Sequence, residues 1–179
     1  VHASSGRATE VAFRTADGVD LSGELLVPAG ARAAAIICHP HPLYGGTRFD
    51  HVVGALFAGL PEAGIAALRF DFRRDFGGGV AEVGDAVAAL AELRRAVPGV
   101  PLVACGYSFG AMVVLGVDAA SAEGTVAGKV LVAPPLTAMP AARPDDGRDG
   151  AAAPVPTLVL SPEHDQFTPA SAAEPIVAA

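Results

Sequence analysis

Sulfur and positive charge are both scarce in this sequence. Cysteine occurs only at Cys38 and Cys105, too few for a disulfide scaffold and without the close pairing of a metal site. Lysine occurs once, at Lys129, no basic cluster is present, and the net charge is −7. That balance excludes the footprint of a nucleic-acid binder, whose basic face must neutralise phosphates. Long apolar runs are missing as well, none approaching the ~20 residues that a membrane-spanning helix needs. Val1 to Arg7 lacks the hydrophobic core of a signal peptide. The expectation is therefore a soluble, cytoplasmic chain with no membrane partner. Repeats and linkers are absent too, so residues 1–179 are expected to form one domain. No motif implies a metal or an organic cofactor.

What the chain has in plenty is apolar sequence, 51% of its residues, which excludes a disordered chain and suffices for a buried core. Thr9 to Arg14 and Val19 to Val27 alternate about Ala16-Asp17-Gly18, predicting an antiparallel hairpin at one sheet edge. Short continuous apolar runs at Ala33 to Cys38, Ile65 to Phe72, from Val100, at Lys129 to Ala133 and at Thr157 to Leu160 predict buried strands. Asp50 to Ala63 carries Val52, Val53, Leu56, Phe57 and Leu60 at helical spacing, with Pro61 expected to shorten or kink its end. Ala81 to Val97 is an amphipathic helix by the same criterion, with Val83, Val87, Leu90, Leu93 and Val97 on one face. Pro134 to Pro154 is expected to be a flexible surface loop, and the tail from Ala170 to do no more than start a helix. Hairpin first, then strands alternating with helices: this is the α/β class, a mostly parallel sheet with helices on both faces.

One stretch carries chemistry. Gly106-Tyr107-Ser108-Phe109-Gly110 lies between the strand from Val100 and an apolar helix. A strand turning at once into a helix strains its corner residue, and flanking glycines let the two backbones close up. The serine is then lifted to the helix N-terminus, where backbone N–H groups point outward. An attacking hydroxyl needs that exposure and those donors; the alternative is a glycine-flanked turn around an ordinary serine. In open parallel sheets, sites form at the carboxyl ends of strands. The loops His39 to Thr47, Gly106 to Gly110 and Glu163 to Thr168 all leave such ends.

With those loops in view, the chain resembles the α/β hydrolases. More narrowly it is similar to small, lid-less serine hydrolases related to the dienelactone hydrolases, which use cysteine where this chain has Ser108. The resemblance rests on His39-Pro40-His41-Pro42-Leu43-Tyr44-Gly45-Gly46, on the Ser108 motif and on the Asp165 loop. It implies that Ser108 is the nucleophile and Asp165 the triad acid. The oxyanion hole would use the N–H of Phe109 and one from the first loop. Pro40 and Pro42 have no N–H to give, so His41 is the first candidate there and Leu43 the second. His39, Gly45, Gly46 and Arg73 are candidates for loop support. Arg73, Arg74 and Asp75 are expected to hold their loop by ion pairs, the alternative being a contact to a substrate carboxylate. Cys38 and Cys105 are expected on neighbouring strands as buried, inert thiols.

The family's histidine follows its acid, on a loop after one more strand. No histidine follows His164 here. The expectation is that the last strand, the C-terminal helix and the catalytic base lie beyond Ala179. Function is then hydrolysis of small acyl substrates, esters or thioesters, through a Ser108 acyl-enzyme. The alternative is a non-catalytic binding module of the same fold. Thr157 to Leu160, apolar and uncharged, is an edge strand through which such a chain is expected to self-associate.

Overall fold

A computed structural model describes residues 6–118, 126–139, 155–163, 167 and 169–177. Its first feature is the hairpin of β1 (Thr9–Arg14) and β2 (Asp20–Leu26), paired from Thr9↔Leu25 to Arg14↔Asp20. The turn between them is closed by Thr15 N–H to Val19 O at 2.9 Å and Gly18 N–H to Thr15 O at 3.0 Å. Then come β3 (Ala33–Cys38), α1 (His51–Glu62), β4 (Ile65–Phe70), α2 (Val80–Ala96), β5 (Leu102–Tyr107) and α3 (Phe109–Gly116). The described chain closes with β6 (Val126–Val132), β7 (Thr157–Leu160) and α4 (Ala170–Val177). The seven strands lie in the order β1-β2-β4-β3-β5-β6-β7, antiparallel through the hairpin and its pairing with β4, parallel from β4 onward.

Alternation along β3 divides the core. Ala34, Ile36 and Cys38 face the side covered by α2 and α3, among Val83, Leu90, Leu93 and Val113. Ala35 and Ile37 face α1, with its Val53 and Phe57, together with Cys105. Helices therefore cover both faces, as the alternation of strands and helices requires. Asp50 caps α1 by accepting Val52 N–H at 2.9 Å, and Pro61 sits in the last turn, where the helix ends.

Several boundaries differ from the sequence reading. β4 stops at Phe70, two residues early. The N–H of Phe72 goes instead to the ring of His39, which takes it out of any ladder. β6 begins at Val126, ahead of Lys129, and the tail forms the full helix α4. Of the loop expected at Pro134 to Pro154, residues 140–154 lie outside the described residues. No helix among the described residues is long and apolar enough to cross a membrane.

Cys38 and Cys105 fall on adjacent strands, Cys105 opposite Ile37, and both are buried free thiols. Burial raises both thiol pKa values, that of Cys105 to about 12, so neither forms appreciable thiolate at neutral pH. A thiol reagent at pH 8 is therefore expected to leave both unlabelled in the native protein and to label both in denaturant. Rapid native labelling of either would contradict this placement.

Candidate active site

Ser108 is where β5 becomes α3. It adopts φ 53° and ψ −118°, in the left-handed half of the map that side chains avoid, at a cost of order 1–3 kcal/mol. Two close approaches impose that conformation. A Cβ on Gly106 would strike the carbonyl of Gly110 and come within 2.6 Å of Ala111 N. A Cβ on Gly110 would strike Cys38 O and lie 2.7 Å from His39 O. The first turn of α3 thus rests directly on its own strand and on the end of β3. Ser108 N–H donates to Val132 O at 2.9 Å, tying the corner to β6. Among the described residues its hydroxyl has no hydrogen-bond partner, and no acceptor takes the N–H of Phe109.

The loop after β3 folds against this corner. His41 O accepts from Tyr44 N–H and Gly46 N–H, each at 3.0 Å. Its Nδ1 accepts Leu43 N–H at 3.2 Å. Leu43, the second candidate donor, is thereby spent inside the loop, whereas the His41 N–H has no acceptor among the described residues. The His41 ring lies 4.7 Å from those of Phe109 and Phe76 and 4.8 Å from Tyr44. The residues proposed for the oxyanion hole therefore pack side chain to side chain. Gly45 closes the turn at φ 85°, its N–H on Pro42 O at 3.1 Å. Gly46 is pressed so close to Pro40 that a Cβ would strike the Pro40 carbonyl.

His39 is 2% exposed. Its Nε2 accepts Phe72 N–H at 3.1 Å, and its Nδ1 lies 2.6 Å from Pro40 O. An accepting Nε2 leaves the proton of a neutral ring on Nδ1, so the second contact is an N–H donating to the carbonyl. Burial lowers the imidazole pKa, opposed by the Pro40 bond and by Asp71 and Asp50.

Arg73 is committed. Its guanidinium donates to Asp85 at 2.8 and 3.0 Å and to Asp17 at 2.8 and 3.1 Å, while its backbone N–H donates to Asp85 at 3.0 Å. The loop is thus held by ion pairs, as expected, but through Arg73 alone among its three charged residues. The carboxylates come from the hairpin turn and from α2, while Arg74 and Asp75 are exposed with no ion pair among the described residues. The pairing also removes Arg73 as a ready receptor for a substrate carboxylate. Glu82, fully buried, accepts Gly77 N–H at 2.7 Å and Gly79 N–H at 2.8 Å and fixes the glycine run entering α2. The sequence reading missed Asp17, Glu82 and Asp85. For Glu82 the signal was present, since at 3.6 residues per turn it falls beside Leu93 at the edge of the apolar stripe of α2, whereas Asp85 lies half a turn from Val83.

Asp165 and His164 lie outside the described residues. His51, with a side chain 84% exposed at the start of α1, has its ring 6.2 Å from that of Tyr107 and its Nδ1 3.6 Å from Asp50. No cluster of three or more His, Cys, Asp or Glu among the described residues is placed to hold a metal.

No family model matches the chain. It is 38% identical over 88 residues to the uncharacterized protein RP471 of Rickettsia prowazekii, a match covering 45% of this chain and 37% of that one. The match thus spans little more than a third of that curated relative. Among solved structures it superposes on XC6422 from Xanthomonas campestris, an α/β serine hydrolase without lid. That pair has TM-score 0.76 and 27% identity, over 94% of this chain and 77% of that one. An α/β serine hydrolase homologue from Coxiella burnetii gives TM-score 0.72 and 28% identity, over 95% of this chain and 81% of that one.

The Arg73 cluster yields two expectations. Asp85→Ala would leave a nearly buried guanidinium half-paired and should cost about 3–5 kcal/mol, read from urea unfolding. Asp17, held down to about 2 chiefly by Arg73 and then by Thr15, has its folded pKa below the ordinary 3.8. Its contribution is then fully present above pH ~4 and lost as pH falls toward ~2. In Asp17→Asn that segment of the acid-unfolding curve should flatten; an unchanged curve would show the pair contributes nothing.

Proposed function

The chain belongs to the α/β-hydrolase superfamily, and from that premise we propose that it hydrolyses small acyl substrates, esters or thioesters, through an acyl-enzyme on Ser108. The observation that carries this reading is the Ser108 corner: a non-glycine residue at φ 53° on a helix N-terminus, with a hydroxyl bonded to nothing described. Ser108 is half-buried and its side chain makes no described hydrogen bond, so the strained conformation gains the serine no bond within the fold. Attack of Oγ on the acyl carbon forms the C–O bond and sends negative charge onto the former carbonyl oxygen. The N–H groups of Phe109 and His41 would receive that charge, each worth ~3 kcal/mol in the transition state. The leaving group departs with a proton, and water then releases the acid and restores Ser108.

The proton needs a base, and no described histidine is hydrogen-bonded to the Ser108 hydroxyl. His39 has both nitrogens bonded to backbone, His41 has Nδ1 bonded to its own loop, and His51, at the start of α1, has its ring 6.2 Å from that of Tyr107 and its Nδ1 3.6 Å from Asp50. We therefore place the base among histidines outside the described residues, oriented by Asp165 as triad acid. Because no described histidine is bonded to Ser108, a second reading stands beside the first: a binding module that keeps the corner and the aromatic rim without turnover.

Hydrolysis of p-nitrophenyl acetate decides between them. A catalytic chain loses its rate above buffer on Ser108→Ala by at least ~1,000-fold, and Asp165→Asn lowers it strongly. Turnover that survives Ser108→Ala would sink the acyl-enzyme. A rate at the buffer level in the wild type, with esters still binding, would favour the module. His164→Ala tests that histidine as base: retained turnover moves the base elsewhere.

A further inference from the structure

The imidazole of His39 is bonded at both ends to backbone, and what it bonds to has a consequence for the oxyanion hole. We infer that His39 is the positioning residue of that hole, aiming the His41 N–H by holding the Pro40–His41 peptide plane. This rests on the reading of Ser108 as nucleophile and adds to it a residue that touches neither substrate nor reacting atoms.

The geometry is a relay. Phe72 N–H donates to His39 Nε2 at 3.1 Å, and Nδ1–H donates to Pro40 O at 2.6 Å. Pro40 C=O and His41 N–H belong to the same peptide unit. In a trans peptide they point in opposite directions within one plane, and no cis peptide is present among the described residues. A donor fixed on the carbonyl therefore fixes the direction of the amide hydrogen on the other side. That hydrogen has no acceptor among the described residues. A hydrogen bond on the carbonyl also polarises the unit and makes its N–H a stronger donor.

The plane is held from other directions too. Gly46 lies so close to the Pro40 carbonyl that any side chain would push it aside. The His41 ring rests on that of Phe109, 4.7 Å away, which supplies the second donor. Gly110 packs on the His39 carbonyl, so that the loop and the Ser108 corner cannot drift apart. The anchor at the far end is equally firm, because Phe72 is 6% exposed with its ring 4.6 Å from that of His39. A histidine kept neutral by burial retains the Nε2 lone pair that Phe72 needs.

Two isosteres separate the bonds. In His39→Asn the amide nitrogen takes the place of Nδ1 and still donates to Pro40, while the bond to Phe72 is lost. In His39→Gln the amide takes the place of Nε2 and still meets Phe72 N–H, while the bond to Pro40 is lost. For a small activated ester, His39→Gln is expected to lower kcat ~10–100-fold with KM within about twofold, part of the ~100–1,000-fold that losing a whole donor costs. His39→Asn should hold kcat within about threefold. Equal losses in the two, or losses that follow their urea midpoints, would overturn the assignment. Should the buried variants fail to fold, Gly46→Ala displaces the same carbonyl from the loop surface. It is expected to lower kcat about tenfold at constant KM, and an unchanged kcat would overturn the inference. Nitrogen NMR of the wild-type imidazole gives a readout that needs no turnover: Nδ1 protonated and Nε2 bare supports the relay, and the reverse tautomer overturns it. Wild-type turnover indifferent to Ser108→Ala would bring down the acyl-enzyme and the catalytic meaning of His39 together, whatever the tautomer.

Discussion

The site depends on two backbones being allowed to touch. Gly106 and Gly110 bring the end of β5 and the first turn of α3 within a distance that no side chain permits, with Cys38 and His39 pressed against the second glycine. Once they meet, Ser108 has no freedom left and takes its positive φ. The strain is offset by what α3 buries. Phe109, Ala111, Met112, Val113 and Val114 are each no more than 2% exposed, and each large side chain removed from water contributes about 1.5–3 kcal/mol. A short helix with almost no polar face is therefore what holds an uncomfortable serine at the carboxyl edge of the sheet.

Around that corner, loops are fastened by polar side chains bonded to neighbouring segments, although the buried Arg48 Nε itself has no hydrogen-bond partner among the described residues. Arg73 is answered by Asp17 and Asp85, Glu82 by the N–H groups of Gly77 and Gly79, and Arg48 by Asp71, Glu10 and Ser22. The arginine ties join elements distant in sequence, the hairpin to α2 and the first loop to the hairpin and the end of β4, while the Glu82 tie is local. Buried charges left half-paired are costly, so these links resist piecemeal loosening. Beside Ser108 the described rim is aromatic, with His41, Tyr44, Phe76 and Phe109 in contact.

The strands at Ala33–Cys38 and Thr157–Leu160 and the cores of α1 and α2 were legible because apolar periodicity is a local signal. The Ser108 corner was legible for a similar reason, since glycine spacing encodes close approach within five residues. What failed to show were pairings between segments. Nothing in Arg73-Arg74-Asp75 says that the partners lie at 17 and 85, because a carboxylate two residues away in sequence looks as eligible as one on another helix. The early end of β4 was hidden likewise: Phe72 continues the apolar run, and only the fold shows that His39 claims its N–H.

Why a histidine at position 39 follows from what must be joined there. On one side lies a backbone N–H that β4 has released, on the other the Pro40 carbonyl, whose own peptide N–H points the opposite way. A side chain between them must accept at one end and donate at the other, and do so on a rigid frame. Asn and Gln carry both functions on one carbon, too close together to span the gap. Ser and Thr are too short, and a carboxylate or ammonium has a single role at neutral pH. A neutral imidazole has the two functions on opposite sides of a flat ring, and the ring fills the space against Phe72 that a shorter linker would leave empty. Burial keeps it neutral, and neutrality keeps both bonds. The first loop is thus set by a packing requirement and a hydrogen-bonding requirement that one residue type meets, and the direction of the His41 N–H follows from it.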